Sequence, residues 1–315
     1  MPARYKRFTK IVFLVLNILA SVGFLLACMA PYLDPKKWWF ISLIGLGFAF
    51  IIVTLIAFIF FWLVFRVKYI LISLIPLLIG WKSISVFFAF HFTEQFDYNK
   101  KKTALRIVHW NVARFTEWKK NNNRGSQTRL KMMDLIKEQK ADVLCLQEFF
   151  TSSDPDYYNN ISYLLNELGY PYYYFSWDVD AFRQWVGQAI FSRYPIIDSG
   201  MIRYPRPSMA EAMIHADILF NQDTIRVYTT HLQSVRFKKQ DYESIESIKN
   251  TDDGMVKNSR NIFSKLKQGV VNRSLQADLV RKIINKTPYP YILTGDFNDV
   301  PNSYTYFTIK GTDLQ

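Results

Sequence analysis

The sequence predicts an α/β sandwich set behind three membrane-spanning helices. Three observations lead there. Apolar and charged residues are segregated along the 315-residue chain, short β-rich runs alternate with amphipathic stretches after about residue 103, and polar residues close the ends of several of those runs. Residues 1–92 hold one acidic residue, Asp34, against nine basic ones, whereas residues 93–315 hold 30 Lys or Arg and 25 Asp or Glu. The net charge of +13 thus divides into +8 and +5. Most of the excess flanks hydrophobic segments, where topology accounts for it, so the basic balance is no argument for nucleic-acid binding. Cys28 lies in an apolar run and Cys145 in a short strand, so neither is placed to pair with the other.

Apolar stretches at 11–31, 38–65 and 69–92 are each long enough to cross a hydrocarbon core of about 30 Å at about 1.5 Å per residue. A cleaved signal peptide is the rival reading of the first. The run continues through Phe24, Leu25 and Leu26, and two further spans follow closely, which favours an anchor. Arg4, Lys6, Arg7 and Lys10 before the first span, with Arg66 and Lys68 between the second and third, assign those ends to the cytoplasm. The hairpin with Lys36 and Lys37 then lies outside. An odd number of spans puts everything after residue 92 on the outer side too, the periplasm if the membrane is a bacterial inner membrane. Lys82 inside the third span and Lys100, Lys101 and Lys102 after it oppose that orientation.

Beyond a linker at 93–103, strands are expected at 105–110, 142–146, 171–176, 187–192, 212–219, 224–230 and 290–295. Leu130, Met133, Leu135 and Ile136 mark an amphipathic helix over 127–139. Leu275, Leu279, Val280, Ile283 and Ile284 mark another over 272–285. Between them, the lysine-rich stretch 234–271 has no clear period and reads as a solvated helical hairpin or a surface insertion beside the site.

Four apolar strands end abruptly in residues suited to metal or phosphate chemistry: LRIVHWNV with Asn111, ADVLCLQE with Glu148, IRVYTTHLQS with His231, and YILTGDFNDVP with Asp296 and Asn298. Polar groups at strand ends sit at the rim of a sheet, where several strands can aim them into one cleft. In this order the four segments resemble the endonuclease/exonuclease/phosphatase superfamily, the DNase I-like four-layer α/β sandwich. The resemblance runs from about residue 104 to the end, so it divides the chain into an anchor (1–92), a linker (93–103) and this domain (104–315).

By that resemblance Glu148 is a metal ligand, a hard carboxylate suited to Mg²⁺ with Mn²⁺ as the substitute, and Asn111 is a second element of the metal site. Alone, Asn111 would read as a turn residue after a strand. Asp296 is implied to orient or activate the attacking water and Asn298 to contact the phosphoryl oxygens, a carboxylate for proton acceptance and an amide for developing charge. His231 resembles the histidine that hydrogen-bonds the scissile phosphate or the leaving oxygen. Asp299 reads as loop support. His91 at a membrane interface, His109 inside a strand and His215 in an alternating strand read as structural. The segment RQWVGQAIFSRYPI is similar to an inner strand of the family, and its Arg183 and Gln184 read as an exposed loop pair. Trp110, Trp185, Phe149 and Phe150 read as packing residues.

The chain departs from the family pattern at two places. The family's closing strand with Ser-Asp-His has no counterpart before Gln315, so a fragment with its C-terminal strands missing is expected. Ala113 stands where abasic-site endonucleases carry an Asp, which disfavours DNA repair. The resemblance therefore implies a membrane-anchored, metal-dependent phosphoesterase acting on a phosphodiester or phosphomonoester, with a lipid headgroup as one substrate class. A membrane-tethered nuclease and a catalytically dead binding module are the rivals. The sequence holds no pointer to a protein partner.

Overall fold

A computed structural model describes residues 3–88, 99–101, 103–122, 124–205, 211–235, 237, 240–243 and 255–311. The end of the third expected span with His91, most of the linker, much of 234–254 and the last four residues lie outside the described residues. The chain divides into two compact units, Met1–Thr93 with Ser234–Arg281 and Asp299–Gln315, and Glu94–Gln233 with Lys282–Asn298.

The first unit is helical. Helix α1 (Ala3–Met29) is followed by α2 (Pro35–Leu46), α3 (Phe48–Phe65), α4 (Leu71–Ile79) and α5 (Trp81–Phe87). Two helical stretches, Arg7–Tyr32 and Phe48–Phe65, are long and apolar enough to cross a membrane. The expected span 38–65 is not one helix: it breaks at Gly47, whose N–H turns back to the Ile44 carbonyl at 3.0 Å. The expected span beginning at 69 is a pair of helices bent by 65° at Gly80, with Pro76 inside α4. Glycine is required at position 80, because a Cβ there would lie 2.4 Å from the Phe24 ring. Phe24, Ala27, Phe48, Ile52, Leu55 and Ile84 form the core of this bundle. Ser73 donates to Asn17 at 2.7 Å and Ser21 to the Ile72 carbonyl at 2.7 Å, polar ties of the kind that hold helices together where hydrophobic contrast is weak. Phe50, Phe60, Val64 and Leu78 point outward and are exposed.

The expected helix over 272–285 is the end of a longer one, α8 (Met255–Ile284), and the chain closes with α9 (Tyr304–Lys310). Over Met255–Arg281 and all of α9, these helices belong to the first unit.

The second unit is built on two sheets. In one, β1 (Ile107–Asn111), β2 (Val143–Ser152), β5 (Gln184–Ser192) and β3 (Tyr172–Phe175) lie side by side, with β4 (Val179–Ala181) also paired to β5. In the other the order is β6 (Ile196–Arg203), β7 (Ala212–Phe220), β8 (Asp223–His231) and β9 (Tyr291–Asp296). The pairs β1–β2 and β8–β9 are parallel and the rest antiparallel. Val143, Cys145 and Ile190 of the first sheet pack on Ile214, Ala216, Ile218 and Val227 of the second, so the sheets face one another. On the far side of the first sheet, Leu144, Leu146 and Phe149 pack under α6 (Thr128–Glu138) and α7 (Asn160–Asn166) through Met133, Ile136, Ile161 and Leu164. This is the alternation of a strand buried on both faces. Both cysteines are free, and burial pushes the Cys145 thiol up to about 12.

All seven expected strands are present, shifted by a few residues at their ends, and β4 and β6 are additional. Strand β6 carries Asp198 and Gly200 in its middle, which breaks its apolar pattern. Gly200 is required because the His215 ring on the neighbouring strand occupies the space of its Cβ, 2.7 Å from Cε1.

Candidate active site

Parallel pairing puts the polar strand ends together. Asn111 ends β1 in register with Gln147 of β2, and His231 ends β8 in register with Asp296 of β9. Strand β2 then departs from regular pairing: its register with β5 slips between Leu146 and Phe149, and Glu148 sits in that bulge at φ +49°. A bulge re-aims a side chain that regular alternation would send elsewhere. Its neighbour Gln147 is fully buried and donates to Thr229 Oγ1 of β8 at 2.6 Å, a hydrogen bond that ties the two sheets directly beneath the strand ends.

Four of the five expected residues meet. The Asn111 amide donates to Glu148 Oε1 at 3.1 Å and to Asp296 Oδ2 at 3.0 Å, and His231 Nε2 lies 4.0 Å from Glu148 Oε1. Asn111 Oδ1 accepts from the Ala113 N–H at 3.0 Å. Asn298, at φ +50°, is used differently: its N–H donates to Asp296 Oδ1 at 2.9 Å and its amide to the Leu232 carbonyl at 2.9 Å. Its side chain thereby holds the GDFN turn against the end of β8. The Leu232 N–H donates back to the Asp296 carbonyl at 2.9 Å, and Gly295, at φ +151°, leaves no space for a Cβ, which would stand 2.1 Å from the Thr230 carbonyl. The site turn is therefore fastened by backbone on both sides.

Among the described residues no group of three or more His, Cys, Asp or Glu side chains is arranged to hold a metal. The donors that do converge, two carboxylates and an amide, are the hard oxygen ligands that Mg²⁺ prefers when it keeps several waters. The side chain of Asn111 bridges the carboxylates through its donor nitrogen, while its oxygen is held by the Ala113 N–H. Glu148 is partly exposed, so one face of the site is open.

Two features had no signal in the residue pattern. Ala113, Arg114, Phe115 and Thr116 all have φ between +44° and +59°, a left-handed turn that begins two residues after Asn111 without a glycine or asparagine in it. Such a conformation costs roughly 1–2 kcal/mol per residue and persists where neighbours enforce it. Here the fully buried Phe115 ring packs edge-on to Phe149, and Arg114 pairs with Asp180 at 2.9 Å. The second feature is the Gln147–Thr229 tie. Of the other sequence candidates, Arg183 lies at a positive-φ turn where its carbonyl accepts from Ser152 Oγ at 2.7 Å, and Gln184 begins β5. His109 is exposed on β1. Burial and the nearby Arg226 guanidinium hold the His215 imidazole below its usual pKa.

Two facing sheets that bring together two carboxylates, an amide and an imidazole define an α/β sandwich with a polar cluster at its rim. The chain belongs to the Endonuclease/Exonuclease/phosphatase family, whose model matches residues 108–315. Members of that superfamily generally depend on a divalent metal. A second family model, described as a domain of unknown function, matches residues 9–87. No curated protein sequence matches the chain. Similar solved structures include a humanized TDP2 of D. rerio carrying 14 mutations (20% identity, TM-score 0.39, 62% of this chain and 62% of that one). Another is an endonuclease/exonuclease/phosphatase from Beutenbergia cavernae (16%, TM-score 0.45, 65% and 52%). A third is sphingomyelinase C from Streptomyces griseocarneus (16%, TM-score 0.42, 65% and 68%). The chain thus spans less than two thirds of the length of the first two.

Proposed function

We propose that this protein is a membrane-anchored, metal-dependent phosphoesterase that hydrolyses a phosphodiester or phosphomonoester. The observation that carries the reading is the meeting of Asn111, Glu148, His231 and Asp296 within hydrogen-bond or ion-pair distance from four different strands. Glu148, with Asn111, would hold Mg²⁺ or Mn²⁺, which supplies Lewis-acid polarisation of a phosphoryl oxygen when bound. Asp296 accepts the proton of the attacking water as its oxygen bonds to phosphorus, and His231 gives a proton to the ester oxygen as the P–O bond breaks. Asn298 keeps Asp296 in the turn that aims it, through its N–H to Asp296 Oδ1 and its amide to the Leu232 carbonyl.

In this reading residues 1–92 are the anchor, 93–103 the linker and 104–315 the family domain. The apolar helices hold the site beside a bilayer, with the family domain on the outer, periplasmic face of a bacterial inner membrane, where a lipid headgroup is the accessible phosphoester. The test is hydrolysis of bis-p-nitrophenyl phosphate by the detergent-solubilised chain with and without Mg²⁺, beside Glu148→Ala. Mg²⁺-dependent turnover lost in the variant supports the reading, and preference for phospholipid over plasmid DNA supports its lipid form. Folded protein without turnover on any phosphoester would leave a binding module in its place.

A further inference from the structure

A buried arginine of the second unit lacks a counter-ion. Arg129, in the first turn of α6, is 4% exposed, and among the described residues no carboxylate stands within ion-pair distance of it. The Glu117 carboxylate acts on it only from farther away, with its Oε1 taken by the Thr128 N–H at 2.7 Å. An arginine keeps its charge at any ordinary pH, and a buried charge is costly unless it is paired. Burial accordingly pushes the Arg129 pKa down.

The guanidinium is nonetheless held in one orientation. Its Nε donates to Asn160 Oδ1 at 2.7 Å, and the Asn160 amide donates onward to the Phe150 carbonyl at 2.8 Å, two residues beyond Glu148 on β2. Its central carbon lies 4.1 Å from the centre of the Tyr158 ring and 4.7 Å from that of Tyr163. Asn160 uses only one of the N–H donors of an arginine. Those on the two terminal nitrogens have no hydrogen-bond partner among the described residues.

Arg129, Tyr158 and Tyr163 line an open cleft of about 360 Å³, and Lys120, Asn159 and Ser162 stand on its wall with them. Asn159 Oδ1 is occupied by the Ser162 N–H at 3.0 Å, which leaves its amide nitrogen as a donor. The Ser162 hydroxyl accepts from Asn166 at 3.4 Å and keeps its own proton to give. Against these donors the wall carries one carboxylate, the exposed Glu167. A planar fork, an ammonium, an amide and a hydroxyl around one space match the oxygens of a phosphate group.

We propose that this cleft is a phosphate subsite, in which the Arg129 fork binds two oxygens of a phosphate group and Lys120, Asn159 and Ser162 meet the others. The protein leaves the cation unpaired because the ligand supplies its counter-ion. The phosphate arrives either as the free ion or as a second phosphate group carried by the substrate, since Asn160 links Arg129 to the strand that carries Glu148. The subsite stands apart from the phosphoesterase reading; only its assignment to the substrate rests on that reading.

The test is equilibrium dialysis of the full chain in detergent against radiolabelled inorganic phosphate, in EDTA and at constant ionic strength. Wild type should bind phosphate at a single site. Arg129→Gln should weaken binding about ten-fold or more, the loss of a charge-assisted contact. Ser162→Asp probes the same cleft without touching the buried stack. Its carboxylate would sit in the first turn of α7, where negative charge is favourable, and would take the place of the ligand beside Arg129. Phosphate binding should therefore be lost while the unfolding temperature holds or rises. Glu148→Gln should bind metal-free phosphate as wild type does. Absence of binding in wild type, wild-type affinity in folded Ser162→Asp, or loss of binding in Glu148→Gln would each overturn the proposal. A second arm compares hydrolysis of the p-nitrophenyl phosphodiesters of glycerol and of glycerol monophosphate, which differ by the second phosphate. A lower KM for the latter in wild type, absent in Ser162→Asp, assigns the bound phosphate to the substrate, and equal KM values assign it to the free ion. Wild type that binds phosphate but hydrolyses neither ester would sink the catalytic reading and leave the subsite standing.

Discussion

His231 Nε2 lies 4.0 Å from Glu148 Oε1, although the two residues belong to strands of different sheets. Neither strand alone would make a site. Their approach depends on the bulge that turns Glu148 out of the β2 ladder and on the Gln147–Thr229 hydrogen bond beneath it, so the site is a product of how the sheets face each other.

Replacing Glu148 by Gln keeps shape and hydrogen-bonding capacity but removes the charge. We expect Mg²⁺ affinity to fall by about 10- to 100-fold with little change in unfolding temperature, since Glu148 is partly exposed. Isothermal titration with Mg²⁺ reads this directly. Unaltered Mg²⁺ binding in the variant would remove Glu148 from the metal site.

His231→Ala should lower kcat by about 10²- to 10⁴-fold, the range of a lost acid–base group. A substrate with a good leaving group, such as a p-nitrophenyl ester, needs less protonation and should show the smaller loss. Equal losses on good and poor leaving groups would argue against a proton-donating role.

Thr229→Val leaves one N–H of the buried Gln147 amide without its acceptor at 2.6 Å, the amide keeping only the Cys145 carbonyl at 3.4 Å. An unsatisfied buried donor costs about 1–3 kcal/mol, so the midpoint of chemical denaturation should drop accordingly. Gln147→Leu/Thr229→Val removes both polar partners and should recover part of the loss. A double variant as unstable as the sum of the two single ones would show that the tie contributes nothing.

His215 gives a pH dependence of stability. Burial, with Arg226 second, lowers its pKa in the folded protein below the unfolded value of about 6.5. The unfolded state then binds the proton more readily, so this contribution is complete above about pH 6.5 and is lost as pH falls through the unfolded and then the folded value. Denaturation midpoints measured through that window should decline less in His215→Gln than in wild type. Parallel declines would place the acid sensitivity elsewhere.

Gly295→Ala should be among the most damaging single changes, because the new Cβ would overlap the Thr230 carbonyl and the residue would keep φ at +151°. About 2–4 kcal/mol of lost stability is expected, with hydrolysis lost through a displaced Asp296. A variant with wild-type stability would mean that β9 can slide along β8 without cost.

By itself the sequence determined the segregation of an apolar N-terminal third from an α/β remainder, all seven expected strands of the two sheets, and that Asn111, His231 and Asp296 close their strands, whereas Glu148 lies in a bulge inside β2 rather than at its end and Asn298 in the turn after β9. Those are local properties: hydrophobic periodicity, turn chemistry and the abrupt change from apolar to polar within a few residues. The tertiary structure alone decided that Asn298 spends its amide on the Leu232 carbonyl, that Gln147 ties the sheets together, and that Ala113–Thr116 turn left-handed. It also decided that the apolar stretches break at Gly47 and Gly80 and that the Asn302 amide meets the Ala27 carbonyl. The physical reason is common to all of these. Each depends on a partner tens to hundreds of residues away or on a close approach of backbones, and neither composition nor spacing encodes which distant group will satisfy a buried donor.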